Sequence, residues 1–81
     1  MTEVVIAGAA RTPVGAFNGG LSGVPASYLG TVAIKAALER AGVAPELVEE
    51  TIFGNARQAG GGPNVARQIS HRAGVPDSTP A

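Results

Sequence analysis

Val4-Val5-Ile6-Ala7-Gly8-Ala9-Ala10 is an unbroken run of apolar or small side chains near the N-terminus, closed by Arg11. It is too short for a typical helix and opens with β-branched residues. It therefore reads as a strand covered on both faces, the pattern of a parallel sheet lying between helices. That reading places the chain in the α/β class.

Working outward, residues 12–25 carry Gly15, Gly19, Gly20 and Gly23 between Pro13 and Pro25, which predicts an irregular crossing built of turns. A helix is expected over residues 27–41. Ser27 stands at its N-cap position, and Leu29, Val32, Ala33, Ala36, Ala37 and Ala41 recur at helical spacing. Gly42 suits the left-handed position after the last turn, with Val43 available for the accompanying apolar contact. Gly30 weakens the first turn by roughly 1 kcal/mol relative to alanine, a cost that a close approach by a neighbouring backbone would explain.

Ala44-Pro45-Glu46-Leu47 reads as a turn or short helical turn, because proline suits a first helical position. Residues 50–55, with Ile52 and Phe53 at their centre, read as a short strand returning beside the first. After Gly60-Gly61-Gly62-Pro63, Asn64 is placed to cap a second helix running to Arg72 or Ala73, with Val65, Ile69 and Ala73 inward. Gly74 and Pro76 end it. Strand, helix, strand, helix is the order of a right-handed crossover with a parallel pair, and Val75-Pro76 and Thr79-Pro80 read as the extended lead-in to a third strand.

A chain of 81 residues amounts to one small domain at most. At this size only about 60% of the unfolded surface is buried, so external support is expected. With no cysteine and one histidine, disulfides and metals are excluded as that support, leaving association with more polypeptide. Six basic and six acidic side chains cancel, so neither nucleic acid nor an anionic membrane is an expected partner. The N-terminus lacks a basic leader, and Arg11 interrupts the apolar run before it reaches membrane-span length. Cytoplasm is the expected compartment.

The familiar phosphate-binding motifs are absent. Gly15 and Gly20 stand at the right separation for a phosphate loop, yet Leu21 and Ser22 follow where a lysine and a hydroxyl are needed. Gly8 opens no dinucleotide fingerprint, because no second glycine follows two residues on. The glycines at 60–62 read first as turn chemistry, and second as backbone donors for an anion at a helix start. His71 lies on a predicted helix beside Ser70 and Arg72, without a second histidine, and reads as part of a solvated face. Helix neighbours one apart point in different directions, so Ser70 and His71 are no catalytic pair. Arg11, Arg57 and Arg67 are the polar side chains that most need partners. Arg11, at the end of a strand expected to be buried, reads as a structural clamp for the following loop, with a coenzyme A phosphate contact as the alternative.

Taken in order, Ala9-Ala10-Arg11-Thr12-Pro13, Gly54-Asn55, Gln58-Ala59-Gly60 and Ala66-Arg67-Gln68 resemble the N-terminal end of a thiolase. The resemblance covers residues 4–80. It implies a layered αβαβα architecture, of which residues 1–81, as one partial domain, would be the opening β-α-β-α part of the first half. It also implies acyl transfer to or from coenzyme A through a cysteine thioester, with a histidine and a second cysteine moving protons. Those groups fall beyond residue 81, so no catalytic, cofactor-binding or metal-binding residue is expected here, and the 81 residues are expected to be an inactive portion of a longer enzyme.

Coenzyme A thioesters are implied as substrates of the parent, with no tightly bound cofactor, and the parent as a homo-oligomer, dimer or tetramer. Gln58, Asn64 and Arg67 match the family pattern and are the expected interface or loop-organising positions. Pro63 departs from it: biosynthetic members tend to carry glutamine there, which leaves acyl-chain specificity and direction of reaction open. A non-catalytic thiolase-like association module is the alternative from another class. A condensing enzyme of fatty-acid or polyketide synthesis shares the fold but not the Gln-Ala-Gly to Ala-Arg-Gln segment.

Overall fold

The computed structural model describes residues 3–57 and 60–81. Helix α1 (Ala26–Ala41), a 3₁₀ turn (Pro45–Leu47) and helix α2 (Val65–Arg72) are the regular elements among them. All three fall where the sequence places helical turns.

The start of α1 differs from expectation. Pro25, in extended conformation, precedes the first turn and no side chain caps it. The Pro25 carbonyl accepts from the Tyr28 and Leu29 amides at 3.0 and 3.2 Å. Ser27 is thereby free to bond across the helix pair. It is buried, and its Oγ accepts from Arg72 Nη1 at 2.7 Å. The far end of α1 follows the sequence. Gly42 is left-handed at φ 69°, and the Gly42 and Val43 amides close back on the Glu39 and Leu38 carbonyls. Two successive closing bonds of this kind satisfy carbonyls that the helix leaves open.

Helix α2 is capped by a side chain at its start and closed by a left-handed glycine after its end. Asn64 Oδ1 accepts from the Arg67 amide at 3.1 Å, and Gly74 at φ 89° lets the Val75 amide reach the Ser70 carbonyl. Ile69, Ala73 and Val75 form the apolar core, and Ile69 is only 1% exposed. Burying such a side chain stabilises by about 1.5–3 kcal/mol. Gly30 explains why the two helices come so close. A Cβ at Gly30 would stand 2.9 Å from Ile69 Cγ1, so the approach that removes the side chain comes from Ile69 rather than from a backbone.

The expected strands are a correction. Neither residues 4–10 nor residues 50–55 form a strand among the described residues, and no parallel pair joins them. Residues 4–10 run beside the C-terminal half of α1. Arg40 Nη1 donates to the Ala9 carbonyl at 2.9 Å, and a Cβ on Gly8 would meet Ala37 and Ala41. The other side of the run is open, with Val4 and Ile6 more than 90% exposed. In the returning segment Thr51 is buried and its amide donates to the Pro80 carbonyl at 2.9 Å, while Ile52 is exposed. One rung is not a ladder. A strand is defined by neighbours on its edges, and two segments with one helical layer lack them. The third lead-in is also revised: a turn bonds the Thr79 amide to the Pro76 carbonyl, and only the last residues lie alongside Thr51.

Candidate functional site at the first turn of α2

The polar side chains of the described residues converge most densely where α2 begins. Asn64 adopts a left-handed conformation at φ 44°, which aims its side chain both ways. Oδ1 caps the Arg67 amide, while Nδ2 donates to the Ala81 carbonyl at 3.2 Å. One turn on, Arg67 Nη2 donates to the Thr79 carbonyl at 2.6 Å. Arg67 Nη1 is enclosed and has no acceptor among the described residues. Gln68 faces the preceding loop, its Nε2 donating to the Gly61 and Pro63 carbonyls at 2.9 and 3.1 Å.

Thr79 adds a further tie, with Oγ1 donating to the Val48 carbonyl at 3.3 Å. The chain from 79 to 81 is thus held at every carbonyl: Thr79 by Arg67, Pro80 by Thr51 and Ala81 by Asn64. Asn64 and Arg67 meet at this point. Gln58 lies outside the described residues. Sequence reasoning gave Gln68, quoted only within the Ala66-Arg67-Gln68 motif, and Thr51 no site role. For Gln68 the available signal was its place on the first turns of α2, within reach of the loop before the cap; for Thr51 there was none.

The remaining candidates are elsewhere. Gly60 and Gly62 have φ of 78° and 85°, the turn role expected of them. Arg57 is exposed beside a hollow of about 410 Å³ shared with Ser22, Pro25 and Gly61. Arg11 is exposed on a second hollow of about 470 Å³ with Ala9, Ala10 and Arg40, so water meets the needs that its place after an apolar run had assigned to protein partners. His71 is exposed, as expected of a solvated face. Its Nδ1 also lies 2.9 Å from Asp77 Oδ1, and the hydrogen bond and charge of His71 lower the Asp77 pKa. Among the described residues no group of His, Asp and Glu is placed to hold a metal ion, and no helix is long and apolar enough to cross a membrane.

The side-chain nitrogens of Asn64, Arg67 and Gln68 that find partners here all donate to backbone carbonyls. A family model described as the thiolase N-terminal domain matches residues 4–81. This chain belongs to the thiolase family.

Among its relatives, the acetyl-CoA acetyltransferase of Cupriavidus necator is 58% identical over 81 residues, covering 100% of this chain and 21% of that protein. The cytosolic acetyl-CoA acetyltransferase of Rattus norvegicus is 58% identical over 78 residues, or 96% of this chain and 20% of that protein. The mitochondrial enzyme of Xenopus tropicalis is 54% identical over 80 residues, or 99% and 19%. Among solved structures, the Acat5 thiolase of Ascaris suum in complex with coenzyme A superposes with a TM-score of 0.90 at 41% identity, covering 94% of this chain and 20% of that one. The backbone therefore follows the thiolase fold, although its expected strands are unpaired here. The chain spans about a fifth of the length of these relatives.

Proposed function

We propose that this chain works as the opening part of the N-terminal domain of an acetyl-CoA acetyltransferase, within a polypeptide that moves acyl groups to and from coenzyme A. The observation that carries this is the match in backbone, TM-score 0.90 over 94% of the chain, together with 58% identity to an acetyl-CoA acetyltransferase. The role of these residues is scaffolding. Acyl transfer through a covalent thioester requires an activated thiolate with a base in reach, and these 81 residues hold no cysteine. Alone they are inactive.

In this reading, residues 4–10 and 50–55 become paired strands once further polypeptide covers Val4, Ile6 and Ile52. Coenzyme A thioesters are substrates of the whole enzyme, with no tightly held cofactor. The whole enzyme is a cytoplasmic homo-oligomer, with relatives named for both cytosol and mitochondrion. Gln58, Asn64 and Arg67 organise the loop at the start of α2.

The test is a graft. Residues 1–81 replace the matching first fifth of the Cupriavidus necator enzyme, and thiolysis of acetoacetyl-coenzyme A is assayed. Turnover within about tenfold of the unmodified enzyme, a difference of about 1.4 kcal/mol in barrier, is expected. A folded graft without turnover would sink the reading, as would turnover by the purified 81 residues.

A further inference from the structure

Residues 3–11 run without turn or bend, and among the described residues none of their backbone amides or carbonyls bonds another backbone group. They form an unpaired strand edge. In an extended chain the amide and carbonyl of one residue point to the same edge, and successive residues alternate between the two edges. Arg40 takes one edge by donating to the Ala9 carbonyl at 2.9 Å. Val4, Ile6, Gly8 and Ala10 therefore turn their backbone groups to the other edge, which is open. Natural proteins blunt such edges with charge or proline, and residues 4–10 contain neither. The charges of the whole chain cancel, so no net repulsion keeps two copies apart.

We propose that the open edge of residues 4–10 is an interaction surface for a second copy of this chain, the two strands running antiparallel about a two-fold axis at Ala7. The register follows from the edge and the charges. Pairing through the open edge matches even-numbered residues with even-numbered ones, and only the match centred on Ala7 sets Glu3 of each copy opposite Arg11 of the other. It also sets Val4 opposite Ala10, Val5 opposite Ala9 and Ile6 opposite Gly8, a large side chain against a small one each time. Val4 with Ala10 and Ile6 with Gly8 exchange both backbone bonds, while Glu3 and Arg11 fall in a non-hydrogen-bonded pair, where side chains come closer. A shift to the next even register loses both charge pairs. Parallel pairing in register sets Glu3 against Glu3 and Arg11 against Arg11, and like charges directly opposite are destabilising. Each strand is backed at Gly8 by its own α1, a support that a bare two-stranded ribbon lacks. The same edge is used on both copies, so the assembly closes at two. This inference concerns the 81-residue chain by itself and stands apart from the enzyme reading, in which further polypeptide takes the edge.

The test is sedimentation velocity of the 81-residue chain over a series from low micromolar to submillimolar concentration. A monomer of 8.0 kDa is expected to pass to a species of twice that mass. Glu3→Arg and Arg11→Glu each set like charges opposite at both ends and are expected to raise the dissociation constant by about tenfold or more. An equimolar mixture of these two variants again sets opposite charges at both ends and is expected to dimerise within about threefold of the parent chain. The double variant Glu3→Arg/Arg11→Glu behaves likewise, and it reports should a single variant lose its helices by circular dichroism. Both side chains are exposed, so the helices are expected to persist in all of them. A monomer throughout the series would overturn the proposal. So would a dimer that both single substitutions leave unchanged, a mixture of the two that stays monomeric, or growth past two copies. None of these outcomes touches the graft assay, whose failure speaks against the family role instead.

Discussion

At the scale of single residues, this chain uses polar side chains mainly to tie distant backbone together. Ser27 accepts from Arg72 across the helix pair, and Thr31 Oγ1 donates to the Ser27 carbonyl at 2.7 Å, so buried hydroxyls are satisfied where they lie. The local devices were legible: Asn64 as a cap, Gly42 as a left-handed end and Gly74 as a stop depend only on residues a turn away. The His71–Asp77 pair was not, because its partners lie six apart across a helix end that Gly74 bends back. Asp77 has its folded pKa lowered from the ordinary 3.8, first by the hydrogen bond from His71 and then by its charge. A depressed carboxylate contributes stability above its unfolded pKa and loses that contribution as pH falls through the folded value. Melting curves of the 81-residue chain and Asp77→Asn, recorded from pH 6 down to pH 2, are expected to differ at the upper end and converge at the lower. Equal spacing at all pH values contradicts the assignment.

At the scale of elements, the two helices are matched by one small and one large residue. Gly30 leaves the gap and Ile69 fills it. Sequence reasoning located both residues but could not pair them, since helical periodicity gives a face and not the face opposite. It also placed Val32 on the inner stripe, whereas Val32 is exposed and Thr31 is buried. The helix rotates so that Gly30 and Thr31, not its largest side chains, meet α2. Gly30→Ala is expected to destabilise by about 1–3 kcal/mol from crowding, partly offset by about 1 kcal/mol of helix propensity. Ile69→Val removes the terminal methyl nearest the new side chain. The double variant Gly30→Ala/Ile69→Val should then be clearly more stable than the sum of the single changes allows, as read from urea unfolding. Strict additivity would show that the pair is not in contact.

Over the whole molecule, apolar surface exceeds what the two helices cover. The radius of gyration is 13.6 Å, against about 12 Å for a compact domain of this length. Val4, Ile6, Val14, Phe17 and Ile52 all stand more than 80% exposed. A monomer rarely leaves so much apolar surface uncovered without a partner for it. The isolated 81 residues are accordingly expected to bind the dye ANS strongly and to melt over a broad range. In the graft, covered by the remaining polypeptide, dye binding falls to that of the unmodified enzyme. A sharp two-state melt of a dye-free monomer would contradict this account.

By itself the sequence determined the helices, their ends apart from the start of α1, and the family, because caps, glycine turns and motif order act over a few residues or survive as a pattern of letters. It also determined which segments are apolar enough to be strands. Whether they pair was a tertiary matter: a ladder needs edges supplied by other segments, and among the described residues the returning segment makes a single backbone bond of this kind, from the Thr51 amide to the Pro80 carbonyl. The grip of Arg67 on Thr79 was decided in the same way. It spans twelve residues and a turn, and only the packed chain brings that guanidinium and that carbonyl together.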